Sequence, residues 1–280
     1  MMDCPVSEIQ LDQVLARVAV SRRYRHVAAD VVERLAAEEI PKSRNLADAE
    51  KRTKRRLHQI FGAYTGQPDY AAKLKLLADA LASGDDAAVR DVCRVAMGGH
   101  VSTRERLPFL DGFYRDVFAV TGVPSVICDI ACGLNPLAAP WMKLPTGARY
   151  IGCDIDEQLV SFVAGALDLF GINARITVQD IVTAVPNEGC DVAMLLKSVP
   201  CLDQQDRATA ARVLDAVRAR WYVVSFPNQS IGGRTKGMAR TYRERFSALL
   251  DELGWQSRTI HERDMTSELV FIIDGEGGSA

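Results

Sequence analysis

Apolar residues in the first hundred positions recur at intervals of three and four. Ile9, Leu11, Val14, Leu15 and Val18 form one such series, and Val27, Val31, Val32 and Leu35 form the next, the spacing of helices with one buried face. Ser21 stands where it could cap the second of these helices. A further helix is predicted over 46–64, with Leu57, Ile60, Phe61 and Tyr64 on its apolar side, until Gly66-Gln67-Pro68 breaks it. Helical spacing returns over 70–82, turns at Ser83-Gly84-Asp85 and resumes over 86–97. No strand pattern interrupts this stretch, so residues 1–103 read as an all-α N-terminal extension.

The texture changes after position 104. Leu107, Leu110, Phe113, Tyr114, Val117 and Phe118 define a helix closed by Gly122 and Pro124. Short runs rich in β-branched residues then alternate with helical patterns. Strands are predicted at Val126–Ala131, Arg149–Ile155, Ala174–Asp180, Asp191–Lys197, Trp221–Phe226, Ser257–Glu262 and Leu269–Asp274, and helices at 136–143, 157–170, 204–219 and 238–253. Such alternation argues a doubly wound α/β sheet. Only Arg263 to Glu268 separates the last two strands, so they are expected to form a hairpin with an antiparallel member. A Rossmann-like, seven-stranded, mostly parallel sheet ending this way is the layout of class I methyltransferases. The expected organisation is a helical extension over 1–103, a catalytic domain over 104–275 and a tail over 276–280.

Of the 280 residues, 48% are apolar and 25% charged, enough for a real core and against wholesale disorder. No apolar run approaches the ~20 residues of a membrane helix, and the N-terminus carries no signal pattern, so a cytoplasmic chain without a membrane partner is expected. The seven cysteines include no C-x-x-C pair, and there are four histidines. Reduced thiols and no metal site are the expectation, with Cys128 and Cys132 as small core residues. Net charge is −2, but the charge is unevenly spread. Lys42, Arg44, Lys51, Arg52, Lys54, Arg55 and Arg56 face only Asp48 and Glu50 over 42–58, and nine Lys or Arg face three acids over 204–245. Two basic patches on an acidic background suit a phosphate backbone, although 51–56 alone would equally suit a solvated helix face.

The first strand runs into Asp129-Ile130-Ala131-Cys132-Gly133-Leu134-Asn135-Pro136. A strand, a tight glycine turn and a helix put a ligand at the sheet's carboxyl edge, and Gly133 lets backbone approach it closely. The turn is not G-x-G-x-x-G, which disfavours NAD and FAD, and the chain has no P-loop. Asp154 follows Gly133 by 21 residues at the second strand's end, where a carboxylate can accept ribose hydroxyls. Asp180 ends the third strand and can accept an adenine amino proton while Ile181 covers the ring. Each acid alone could be a helix N-cap; together they favour S-adenosylmethionine (SAM).

Four longer segments carry a resemblance: 101–108 (VSTRERLP), 131–142 (ACGLNPLAAPWM), 195–202 (LLKSVPCL) and 225–230 (SFPNQS) with Gly237-Met238. They resemble the aminoglycoside-resistance 16S ribosomal RNA methyltransferases that modify guanine 1405 at N7 in the decoding site. The resemblance extends over nearly the whole chain, including 51–58 (KRTKRRLH), and is looser over the first forty residues and after Asp251. It implies that Tyr64 packs near SAM from the helical extension, that His100, Val101 and Ser102 line its methionine side and that Arg106 pairs with its carboxylate. It further implies that Ala131 contacts the ligand through backbone, that Asp154 holds the ribose and Asp180 and Ile181 the adenine, and that Leu196 and Gln205 close the pocket. Plainer roles compete: a surface salt bridge for Arg106, core packing for Tyr64, helix ends for His100 and Gln205. The turn at Gly133 also holds one glycine where many SAM enzymes have three.

The implied partner is 16S rRNA within the 30S subunit, bound by a monomer. Lys51, Arg52, Lys54, Arg55 and Arg56 are the phosphate candidates on the extension. Lys197, Arg234 and Lys236 are the candidates beside the pocket, and Met238 could pack on the target base, which must be exposed or flipped. A lysine closing the strand Met194-Leu195-Leu196 is costly unless it reaches a cleft and an anion. Guanine N7 has a lone pair and no proton, so no catalytic general base is expected, and positioning carries the chemistry. The fixed positive charge of the methylated base would repel polycationic aminoglycosides. Alternative readings are methylation of a neighbouring adenine at N1, a small-molecule methyltransferase that tailors an antibiotic, and an RNA-binding protein without activity.

Overall fold

The computed structural model describes residues 8–61, 68–228 and 238–276. Three helices come first: α1 (Glu8–Ala19), α2 (Ala29–Glu39) and α3 (Leu46–Phe61). Val14, Val18, Val31, Leu35 and Leu57 form their common core, with Ile155 packed against it. Next come α4 (Tyr70–Ala82) and α5 (Asp86–Met97), each opened by an aspartate that accepts a backbone N–H of the first turn: Asp69 from Ala72 and Asp85 from Ala87. Then follow α6 (Val101–Arg106) and α7 (Leu110–Thr121).

The alternating region runs β1 (Val126–Ile130), α8 (Ala139–Met142), β2 (Arg149–Asp154), α9 (Glu157–Leu169), β3 (Asn173–Val178) and β4 (Cys190–Leu196). It continues with α10 (Val199–Asp203), α11 (Thr209–Ala216), β5 (Ala219–Pro227), α12 (Met238–Leu253), β6 (Ile260–Met265) and β7 (Glu268–Asp274). The strands form one sheet in the order β3-β2-β1-β4-β5-β7-β6. Pairing from β3 to β5 is parallel, while β7 runs antiparallel between β5 and β6. The α/β class, the seven strands and the terminal hairpin therefore stand as the sequence predicts.

Alternation along the strands separates two layers. Ile127, Tyr150, Val192, Val223 and Ile272 pack with α4, α5, α7 and α9, including Leu77, Val89, Phe113 and Phe162. Cys128, Ile151, Leu195, Val224 and Ile273 pack with α10, α11 and α12, including Leu202, Val213 and Phe246. Thus, among the described residues, α4 and α5 belong to the core under the sheet, while α1–α3 have a core of their own. Cys128 and Cys132 are buried. Among the described residues no helix is long and apolar enough to cross a membrane.

The structure corrects several local expectations. Ser21 does not cap α2; its carbonyl accepts the Tyr24 and Arg25 N–H groups in a turn, and α2 opens at Ala29 without a side-chain cap. The delay has a cause: Val27 bridges to Asp156, and the Ala28 N–H donates to the Ile155 carbonyl at 2.8 Å, so these residues stay extended. The helix predicted over 204–219 is shorter, Thr209–Ala216, because Asp206 takes the Ala208 N–H and the Arg212 guanidinium into a turn before α11. Ala219 already belongs to β5. β6 lies three residues later than predicted, since its pairing from Ile260↔Ile273 to Met265↔Glu268 leaves only Thr266 and Ser267 for the turn.

Candidate donor pocket

β1 and β4 lie side by side at the centre of the sheet, and the chain leaves them toward opposite faces. A ligand crevice forms where strand order reverses in this way. Here it is a cavity of about 960 Å³, counted out to its open mouth. Three residues around it have left-handed backbone: Ala131 (φ 54°) and Gly133 (φ 50°) after β1, and Lys197 (φ 59°) after β4. Non-glycine residues hold this conformation at a cost of order 1–3 kcal/mol and cluster at functional sites. The left-handed turn at Gly133 directs its N–H to Asp154 Oδ2 at 2.9 Å. Asp154 Oδ1 accepts the N–H groups of Ile155 and Asp156, so backbone donors fix the carboxylate at the end of β2.

Asp180 follows β3 and is buried. Its Oδ1 accepts the Val182 N–H, and its Oδ2 takes Arg34 Nε at 2.7 Å. Arg34 also gives Nη2 to Gln205 Oε1 at 2.9 Å. Helix α2 thus reaches over one end of the cavity, which Val31 and the α3 residue Ile60 also line.

At the other end, His100 Nδ1 meets Ser102 Oγ at 2.8 Å. Burial, with Lys197 and Arg106 nearby, pushes the imidazole down to about 4, so the ring is neutral at physiological pH. Beneath lies a charged cluster. Arg106 directs Nε and Nη2 to Glu268 at 3.0 and 2.6 Å and Nη1 to Asn135 at 2.8 Å. Lys197 Nζ pairs with Glu105 at 2.8 Å and lies 3.6 Å from Glu268. Burial alone would raise the Glu268 carboxyl, but the two cations outweigh it and hold it below its ordinary value. Asn135 also donates to Asp129, as does Tyr150. Burial pushes Asp129 up to about 7 against those two bonds.

Ten of the twelve donor-site candidates line this one cavity: His100, Ser102, Arg106, Ala131, Gly133, Asp154, Asp180, Ile181, Leu196 and Gln205. Val101 opens α6 and is not among the lining residues. Tyr64 lies outside the described residues, as do Arg234 and Lys236. The structure adds Arg34, Asn135, Ser198 and Glu268, which sequence reasoning passed over. Ser198 lines the cavity with a buried hydroxyl that has no hydrogen-bond partner among the described residues. One available signal was Glu268 itself, a lone charge opening the apolar run Leu269-Val270-Phe271-Ile272-Ile273.

The basic helix divides into two sets. Arg52, Lys54 and Arg56 are half-buried and pair with Glu39, Glu50 and Glu38. Lys51 and Arg55 are exposed and make no ion pair among the described residues. Lys197, expected to reach an anion in a cleft, does so, but the anions are the protein's own Glu105 and Glu268. Met238 opens α12 and is half-buried.

Comparison with known proteins agrees with this geometry. The family model described as ribosomal RNA methyltransferase (FmrO) matches residues 20–272. The 16S rRNA (guanine(1405)-N(7))-methyltransferase of Micromonospora echinospora is 42% identical over 275 residues, covering 97% of this chain and 99% of its own. The enzyme of that name from Serratia marcescens is 30% identical over 269 residues, covering 96% and 100%. Among solved structures, the 16S rRNA methyltransferase RmtF in complex with S-adenosyl-L-homocysteine superposes with a TM-score of 0.82 at 30% identity, covering 96% of this chain and all of that one. The 16S rRNA methylase RmtB gives 0.75 at 28% identity, covering 95% and 98%. A chain matched over this length by sequence and by fold belongs to the ribosomal RNA methyltransferase (FmrO) family.

Proposed function

We propose that this protein transfers a methyl group from SAM to N7 of guanine 1405 in 16S rRNA of the 30S subunit and thereby confers aminoglycoside resistance. The observation that carries the reading is the pair of fixed carboxylates, Asp154 and Asp180, at the ends of neighbouring strands in one cavity at the β1/β4 reversal. They suit a ribose and an adenine amino group, and relatives aligned over nearly the whole chain bear the name of this activity. The Ser198 hydroxyl, without a partner among the described residues, and the left-handed backbone at Ala131 and Gly133 fit a polar ligand lying close to the strand ends.

Bound there, SAM supplies a methyl group on a positively charged sulfur, electrophilic enough for a nitrogen lone pair. Asp154 binds the ribose, while Asp180 and Ile181 bind the adenine. Arg106 spends three of its five N–H donors on Glu268 and Asn135; the remaining two are available to the methionine carboxylate. Guanine N7 carries no proton, so no residue needs to remove one, and neutral His100 serves as a wall of the pocket. The α1–α3 bundle docks the subunit through exposed Lys51 and Arg55, with Arg52, Lys54 and Arg56 behind them. Lys197 and Met238 stand on the target side. The protein works as a monomer in the cytoplasm, where its substrate is.

The test uses purified protein, tritiated SAM, and either 30S subunits or free aminoglycosides. Label in 16S rRNA, with strand scission at one guanine after reduction and aniline, is the expected result. Label without scission would indicate the adenine N1 reaction, label only in the small molecule a tailoring enzyme, and either would overturn the proposal.

A further inference from the structure

We infer that a chain of charges, Arg56–Glu38–Arg34–Asp180, couples docking of 30S phosphates on α3 to the adenine end of the donor pocket, so that subunit and donor bind with positive cooperativity. The inference rests on the site assignment proposed above. Arg56 stands on the same helix as exposed Lys51 and Arg55, and its Nη2 lies 3.3 Å from Glu38. Glu38 is also held by Arg34 Nη1 at 3.2 Å. Arg34 in turn gives Nε to Asp180 at 2.7 Å and Nη2 to Gln205 at 2.9 Å. Side-chain exposure along this chain is 19% at Arg56 and 39% at Glu38, and falls to 16% at Arg34 and 3% at Asp180. Its outer pair, Arg56 and Glu38, is thus partly exposed to solvent, where a phosphate drawn to Lys51 and Arg55 can compete for Arg56, while its inner end lies in the candidate donor cavity.

The direction of coupling follows from the charges. A phosphate approaching α3 attracts Arg56 away from Glu38. Arg34 is then the one cation still paired with Glu38 among the described residues. Glu38 draws more of the guanidinium, and Arg34 loosens its hold on Asp180. The carboxylate becomes a better acceptor for an adenine amino group. The same event run backward means that a bound donor, by engaging Asp180, frees Arg34 for Glu38 and releases Arg56 to the RNA. Coupling of this kind is reciprocal. No displacement of a helix is needed, only an exchange of partners among four side chains already in contact.

The experiment measures binding of the full chain to 30S subunits with and without saturating S-adenosylhomocysteine. Wild type is expected to bind subunits about 5-fold or more tightly with the nucleoside present. Glu38→Gln leaves Arg34 a hydrogen-bond partner but removes the charge. It is expected to bring that ratio close to one without weakening binding in the nucleoside's absence and without lowering the melting temperature. Calorimetric titration of the nucleoside into the subunit complex should give the same ratio. A wild-type ratio of one, or an unchanged ratio in Glu38→Gln, overturns the coupling. Subunits that are methylated yet bind with a ratio of one sink the coupling alone, whereas absence of label in 16S rRNA sinks the proposed function.

Discussion

Arg106 and Glu268 are 162 residues apart in sequence and bind each other through two parallel hydrogen bonds, with side chains 1% and 0% exposed. The paired charges also hold Lys197 and Asn135, so the floor of the candidate donor pocket depends on this contact. Breaking such a pair from one side leaves the other charge buried alone, which costs about 3–5 kcal/mol. Arg106→Ala is therefore expected to lower stability by that order in urea unfolding. Glu268→Gln keeps the shape but leaves the Arg106 guanidinium buried without its counter-charge, so a loss of the same order is expected. The depressed Glu268 carboxyl adds stability that is present above its ordinary value of 4.5 and is lost as pH falls through its lower folded value. Glu268→Gln should lose that acid-side dependence.

Asp129 has the opposite sign. Its folded value of about 7 lies above the ordinary 3.8, so between these two values the unfolded chain is ionised while the folded one keeps its proton. The contribution of Asp129 to stability is full below about pH 3.8 and declines as pH rises through about 7. Asp129→Asn can still accept from Tyr150 and Asn135 through its amide oxygen. It is expected to remove this decline and to be more stable relative to wild type at pH 8 than at pH 5, as read from unfolding curves at the two pH values.

Asp154 joins Gly133 to the ends of β1 and β2. Its replacement by Ala removes the proposed acceptor for the ribose. Hydrogen bonds to a charged group contribute about 1.5–3 kcal/mol, so the affinity for S-adenosylhomocysteine should fall by that order in calorimetry. Undiminished affinity would exclude Asp154 from the donor site.

Arg55 is exposed and makes no ion pair among the described residues. Arg55→Glu is expected to weaken 30S binding, to lower the slope of log affinity against log salt by about 1, and to leave S-adenosylhomocysteine affinity unchanged. Subunit affinity equal to wild type at every salt concentration would exclude the residue from the docking face.

The alternating region was legible because buried strands and amphipathic helices write different periods into the chain, and because a connection too short for a helix reveals a hairpin. Asp154 and Asp180 were legible because an acid after an apolar strand has few places to go. Arg34 was not: on the sequence it is one charge within an amphipathic helix, and its partner Asp180 lies 146 residues away. Arg106 was singled out for a ligand carboxylate, and the sequence offered no way to see that Glu268 already meets most of its charge. The late start of α11, at Thr209, was missed because Asp206 and Arg212 close a local turn through side chains, which periodicity does not record.

The position of β7 has a consequence for synthesis. It is the last of the seven strands to be made, yet it enters the sheet between β5 and β6 and begins with the carboxylate that neutralises Arg106. A nascent chain lacking it has an open slot beside β5 and an uncompensated guanidinium under the donor pocket. Products of premature termination before residue 268 should therefore fail to retain the donor, and retention is expected to begin only once β7 has left the translating ribosome.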